Sequence, residues 1–275
     1  MISVIKTRHL GSRIVAIGVV IFLVAPFIVV LGASVDTGDA YHISFPPRGL
    51  TFQWYEELPS RYTKAAALSI WVGTVVAFLA GIVGTAAALG LVRGSIIGKE
   101  VLQAVFRLPL QIPLVVTGAV FLQFFYVVSA LTGWNPLRGI AGLMIGHLFV
   151  ALPYVVGSVS SILVRLNPRL EEAARSLGAS EWSTFWRVTF PAMRPGVAAG
   201  MFYAFIVSFG DIPIAIFLVT SENATLPVLI FQDMQFDFRP SILAASTLTV
   251  VTSGVLIVVA QRLVGLDMIL PSKRK

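Results

Sequence analysis

Residues 171–191 read EEAARSLGASEWSTFWRVTFP, a charged and polar stretch set between two long apolar runs. Just ahead of it, Asn167 is a favoured N-cap and Pro168 fits the first helical position. Glu171 and Glu172 fall early in the helix, where the positive end of the dipole favours carboxylates. Leu170, Ala173, Ala174 and Leu177 recur at i, i+3, i+4 and i+7 and form one apolar stripe. Gly178 stands where a helix end takes a left-handed residue. Ser180 is placed to cap a second short helix carrying Trp182, Phe185 and Trp186, and Pro191 is expected to break that helix. The stretch therefore reads as a helix–turn–helix knob. Its plainest alternative is an amphipathic loop folded back on its own bundle.

Outside the knob the chain is built for lipid. Of 275 residues, 57% are hydrophobic and only 12% charged. A soluble domain carries about twice that charge. Uncharged runs long enough to cross about 30 Å of hydrocarbon are expected over roughly 14–35, 65–92, 108–131, 140–164, 195–220 and 241–261. Between the fourth and fifth lies the knob loop, 165–194. The first run follows a basic start, as in a signal peptide, and Gly32-Ala33-Ser34 offers small residues near its end. Its length favours a retained helix and an N-terminus near Met1. In the loop before the second run, Thr51 is expected to cap a short interfacial helix carrying Phe52, Trp54, Tyr55 and Leu58. The segment 221–240 reads as a loop. The chain is taken as one all-α membrane domain, 1–275, with no detachable soluble part.

A formal charge of +7 raises the question of nucleic acid, but its distribution points to topology instead. With six spans and the N-terminus inside, five of the 20 basic residues lie outside: Arg48, Arg61, Lys64, Arg138 and Arg239. The other fifteen lie inside, which places both termini and the knob in the cytoplasm.

Catalytic and metal chemistry find little footing. There is no cysteine, so thiol nucleophiles and thiolate metal sites are excluded. Gly94 to Lys99 has three residues between its glycines where a phosphate loop needs four, and Glu100 replaces the Ser/Thr. His147 is a lone imidazole in an apolar run, expected to pack against a serine or a carbonyl. Gly142-x3-Gly146 and Gly196-x3-Gly200 mark close helix packing. Asp211, between Gly210 and Pro213, is expected inside the fifth span. A carboxylate there costs roughly 2.5–3.5 kcal/mol, so it should face a cavity or a partner. It reads either as a negative site on the path of a cationic solute, with Ser208 as a weaker member, or as a buried hydrogen-bond partner. The pathway reading is preferred, because intramembrane acids more often mark pathways.

The spacing Glu172-Ala173-Ala174, three residues, Gly178, nine residues, Val188-x-Phe190-Pro191 resembles the EAA signature of ATP-binding-cassette importer permeases. Val188 and Phe190 depart from that family's Ile and Leu but stay apolar. FPPRGLTFQWY at 45–55 and SFGDIPIAIF at 208–217 look like the spermidine/putrescine permeases of the C-component type. The resemblance implies a type I importer transmembrane domain in a bacterial inner membrane, with the knob as the coupling helix. Glu172, Ala173, Ala174, Leu177, Gly178 and Pro191 would then be the coupling residues. It implies a second permease, two ATP-binding subunits that hold ATP-Mg, and an external solute-binding protein. This chain would carry no cofactor, no metal and no catalytic residue. Relatives of that clade carry 2-aminoethylphosphonate, opines and other amines, and more distantly ferric iron or thiamine, so the solute stays open. From another class, an ATP-independent secondary transporter or channel using Asp211 as an ion site is the rival, and an intramembrane enzyme or a purely structural subunit is the third.

Overall fold

The apolar runs fold as helices. The computed structural model describes residues 2–37, 45–236 and 239–264, with 2–10, 260, 261, 263 and 264 described in backbone only. In chain order the helices are α1 (Ile2–Ala33), α2 (Gln53–Glu56), α3 (Ser60–Arg93), α4 (Lys99–Arg107), α5 (Leu114–Thr132) and α6 (Ala141–Arg165). There follow α7 (Arg169–Ser176), α8 (Glu181–Thr184), α9 (Phe190–Phe209), α10 (Ala215–Leu218), α11 (Leu226–Phe236) and α12 (Pro240–Val264). The described residues hold one isolated antiparallel bridge, Asp36 to Leu50, and no longer strand. Among the described residues six stretches are long and apolar enough to cross a membrane: Gly11–Ala33, Ser60–Arg93, Leu114–Thr132, Ala141–Arg165, Glu181–Phe209 and Pro240–Val259.

Proline accounts for the main departures from the expected boundaries. The third span begins at Leu114, not 108, because Leu108–Leu110 form a 3-10 turn and Pro113 stands at the N-cap. Pro191 does not break the knob's second helix. Helix continues from Glu181 to Phe209, and the fifth span therefore starts inside the expected loop. Pro191 has no N–H for the Arg187 carbonyl, and its ring would crowd that carbonyl in a regular turn. A π-turn over Phe185–Thr189, closed by Phe190 N–H to Phe185 O, widens the helix just ahead of it. The same span ends early, at Phe209 rather than 220. Ile212 precedes Pro213, which disfavours helix there. The short interfacial helix stops at Glu56, short of Leu58, which precedes Pro59. Its Thr51 hydroxyl does accept from Gln53 N, at 3.2 Å. The expected loop 221–240 contains α11, with Pro227 in its first turn, where the missing N–H costs nothing.

The structure comprises two compact units. One is Met1–Tyr62 with Ile230–Gly254. In it, Trp54 Nε1 donates to Asp36 O at 2.9 Å, and Arg48 N donates to Asp36 Oδ1 at 2.6 Å. Asp233 takes an ion pair from Arg61 at 3.0 Å and a hydrogen bond from the Tyr62 hydroxyl.

The other unit is Thr63–Leu229 with Val255–Lys275, and α6 and α9 form its centre. Lipid is as apolar as these side chains, so close packing rather than water exclusion holds such helices together. A Cβ on Gly200 would lie 2.7 Å from Val155 Cα, and one on Gly196 would lie 2.9 Å from Ser158 O. The small residues of this pair let two backbones touch. Val155, Val159, Leu163 and Met193 are fully buried around that contact.

Candidate coupling and intramembrane sites

The knob is built by its own short-range chemistry. Asn167 Oδ1 accepts from Arg169 N at 3.1 Å and opens α7. At the other end Gly178 is left-handed, with φ +85. Gly178 N donates to Arg175 O at 2.9 Å and Ala179 N to Ala174 O at 3.0 Å, the two bonds of a Schellman cap. Ser180 Oγ then accepts from Ser183 N at 3.2 Å and starts α8. Leu170 is 51% and Leu177 89% exposed, Ala173 and Glu172 are exposed, and Ala174 is half-buried. Trp182 and Trp186 are also exposed and meet edge to face, 5.6 Å between centroids. An apolar face this open, rimmed by charge, is what a docking surface requires.

Another side of α7 is fastened by a charge. Glu171, not Glu172, is the buried acid of the pair. Its Oε1 accepts from the Thr189 hydroxyl at 3.0 Å, in the π-turn that leads into α9. Its Oε2 lies 3.4 Å from Nε of Arg93, an ion-pair distance without a hydrogen bond. Arg93 ends α3 and also donates from Nη2 to Leu166 O at 3.1 Å. One carboxylate thus ties the knob to the ends of two spanning helices. The pair's charges are needed in place, since a buried acid without its cation is costly.

Asp211 lies two residues beyond the end of α9, not inside it. It is buried at 7% exposure, beside Ser208 at 4% and His147 at 2%. Its Oδ2 accepts from Ile214 N at 3.1 Å and Ala215 N at 2.8 Å, so it caps the turn that becomes α10. His147 Nδ1 and Ser208 Oγ are 2.8 Å apart, as the expected serine contact for a lone histidine. His147 Nε2 points at the same Asp211 oxygen from 3.6 Å, without a hydrogen bond. The space among His147, Ser208, Asp211 and Ile214 has no room for a water. Among the described residues no three His, Cys, Asp or Glu side chains gather into a metal site.

The family described as binding-protein-dependent transport system inner membrane component matches residues 80–269, a range holding both sites. The chain belongs to that family. It is therefore a permease component of an importer and a multi-pass membrane protein. It is 31% identical over 237 residues to the putrescine transport system permease protein PotI of Escherichia coli strain K12, covering 85% of this chain and 83% of PotI. It is 30% identical over 243 residues to the spermidine/putrescine transport system permease protein PotC of Haemophilus influenzae, covering 87% and 91%. Among solved structures, a bacterial ABC transporter involved in the import of the acidic polysaccharide alginate matches with TM-score 0.71 at 15% identity, over 94% of this chain and 96% of that one. The inward-facing MetNI methionine ABC transporter matches at TM-score 0.58 and 16% identity, over 78% and 98%. The permease has the type I importer transmembrane fold.

Proposed function

We propose that this permease is half of the translocation unit of an ATP-driven importer for a small cationic solute of polyamine type. Its partners are a second permease, two ATP-binding subunits and an external solute-binding protein. ATP-Mg is bound and hydrolysed on the partner ATPases, and this chain supplies the path and the lever. The whole chain acts as one permease domain in a bacterial inner membrane, with both termini and the knob in the cytoplasm, as the basic-residue bias supports.

The observation that carries the reading is the exposed face of α7 on a knob whose other side is fastened to the bundle. Leu170, Glu172, Ala173, Ala174 and Leu177 dock against an ATPase subunit, with Gly178 setting the turn. Two routes then lead inward. Helix runs from α8 past Pro191 into α9, so the second half of the knob moves with a span. The Glu171–Arg93 pair carries the same motion to the end of α3.

The solute reading is supported by the polyamine-type relatives and by Asp211, an acid in a strongly apolar setting. In the conformation described here Asp211 and Ser208 are held by α10 and His147. Their role on the path requires those contacts to open at another stage of the cycle. The test reconstitutes the assembled importer in vesicles and measures ATP-dependent uptake of radiolabelled putrescine, spermidine and 2-aminoethylphosphonate. Uptake of a polyamine that stops without the ATPase subunits is the expected result. Uptake that persists without ATP would sink the importer reading, and preference for the phosphonate would sink the polyamine one.

A further inference from the structure

Beside α6 lies an open trough of about 440 Å³, wholly within the Thr63–Leu229 unit. Along α6 its lining changes from Pro153 and Gly157 to Ser160 and then Arg165. That is 12 residues of helix, about 18 Å. At Gly157 a Cβ would meet no atom of the described residues within 4 Å. The C-terminal part of α4 faces the same space with Gln103, Phe106 and Arg107. The trough is thus apolar toward the middle of the spanning helix and cationic at its end.

Among the described residues no carboxylate lines the trough, and neither Arg107 nor Arg165 pairs with any of them. Each arginine sits in the last turn of its helix. A helix C-terminus carries about −0.5 of a charge, so two of them offset half of the two guanidinium charges. About one positive charge is left over, with the Gln103 amide and Ser160 hydroxyl beside it. The Ser161 hydroxyl is already committed, donating to Ser158 O at 2.8 Å.

We propose that this trough binds one anionic phospholipid, its phosphodiester held by Arg107 and Arg165 and one acyl chain laid along α6 past Gly157. Basic pockets between spanning helices at a membrane face take anionic headgroups in this way. A free phosphate would leave the apolar length empty, and a cationic solute is repelled by both arginines. The proposal rests on the chain spanning a membrane and not on the identity of the solute, so the two fail separately.

The test uses the full-length permease in detergent, mixed with phosphatidylcholine micelles containing pyrene-labelled phosphatidylglycerol. Wild type should enrich the labelled anionic lipid over labelled phosphatidylcholine. Arg107→Gln and Arg165→Gln should each lower that preference about fivefold, from the usual worth of a basic residue at a charged membrane face. Gly157→Leu leaves the charge untouched, adds a Cβ that meets nothing within 4 Å, and should lower binding by blocking the acyl chain. Arg138→Gln, remote from the trough, should change nothing. Circular dichroism melting checks that each variant folds. Retained preference in the double variant Arg107→Gln/Arg165→Gln overturns the proposal. So does displacement of the lipid by equimolar inorganic phosphate or glycerol 3-phosphate, which would make the occupant a soluble anion.

Discussion

Glu171 and Asp211 are two buried acids of one compact unit, held by opposite means. Glu171 is secured across the fold, by a guanidinium from α3 and a hydroxyl from the turn before α9. Asp211 is secured within its own neighbourhood, by backbone N–H groups three and four residues ahead. The first arrangement needs the charge, because a cation faces it. The second satisfies two backbone donors, which an amide oxygen also does, with His147 Nε2 3.6 Å from the same oxygen. A substitution that removes charge and keeps shape therefore separates them, and the knob's turn separates both from the local backbone.

The largest effect is expected at the turn itself. Gly178→Val places a β-branched residue at φ +85, at a cost of about 1–2 kcal/mol. A Cβ there meets nothing within 4 Å, so the cost is chiefly backbone strain. Uptake should fall to background while the protein still inserts in the membrane. Gly178→Asn should recover much of it, since Asn tolerates the left-handed region. Glu172→Lys should also abolish uptake, by placing a cation near the positive end of α7 in the docking knob. Wild-type uptake and ATPase co-purification in both Gly178→Val and Glu172→Lys would refute the docking role.

Next in size is the charge pair. Arg93→Met strands Glu171 and should lower stability by about 1–3 kcal/mol. Its mark on coupling is distinct from its mark on folding. ATP hydrolysis by the assembled importer should continue while solute moved per ATP drops. The double change Arg93→Met/Glu171→Leu should restore stability but not coupling, because an apolar pair packs without transmitting a tethered load. Thermal melting and the uptake-to-hydrolysis ratio read the two separately. If the double variant couples normally, the pair is packing alone.

Local chemistry was readable from the residues, and chemistry that joins distant segments was not. The knob's caps at Asn167, Gly178 and Ser180 each answer to neighbours within a few positions, so spacing reveals them. The six apolar runs are equally plain. Glu171 gave no sign of differing from Glu172, because its partner Arg93 lies at the end of another span. Pro191 looks like a helix breaker until the π-turn before it relieves the clash. Asp211 looked intrahelical because Gly210 and Pro213 alone do not say on which side the helix stops. The apolar residues on both sides of the break hide it from hydropathy.

The smallest effect on assembly, and the sharpest use of the comparison, is expected at Asp211. Asp211→Asn keeps an oxygen for Ile214 N and Ala215 N, and Asn caps helices about as well as Asp. Stability should therefore move by no more than a few tenths of a kcal/mol, whereas Asp211→Ala should lose about 1 kcal/mol with the cap. Glu171→Gln is the matched control, and it should cost more than Asp211→Asn because it leaves Arg93 without a countercharge. Uptake then divides the two roles of Asp211. If its charge serves a cationic solute, Asp211→Asn assembles fully, hydrolyses ATP when stimulated by loaded binding protein, and moves putrescine several-fold more slowly. If it serves only as a cap, Asp211→Asn transports like wild type and Asp211→Ala alone is impaired. Ser208→Ala adds a check on the same neighbourhood, since it removes the partner of His147 Nδ1 without touching the cap. A loss of uptake in Ser208→Ala with Asp211→Asn unaffected would move the functional weight from the carboxylate to the histidine.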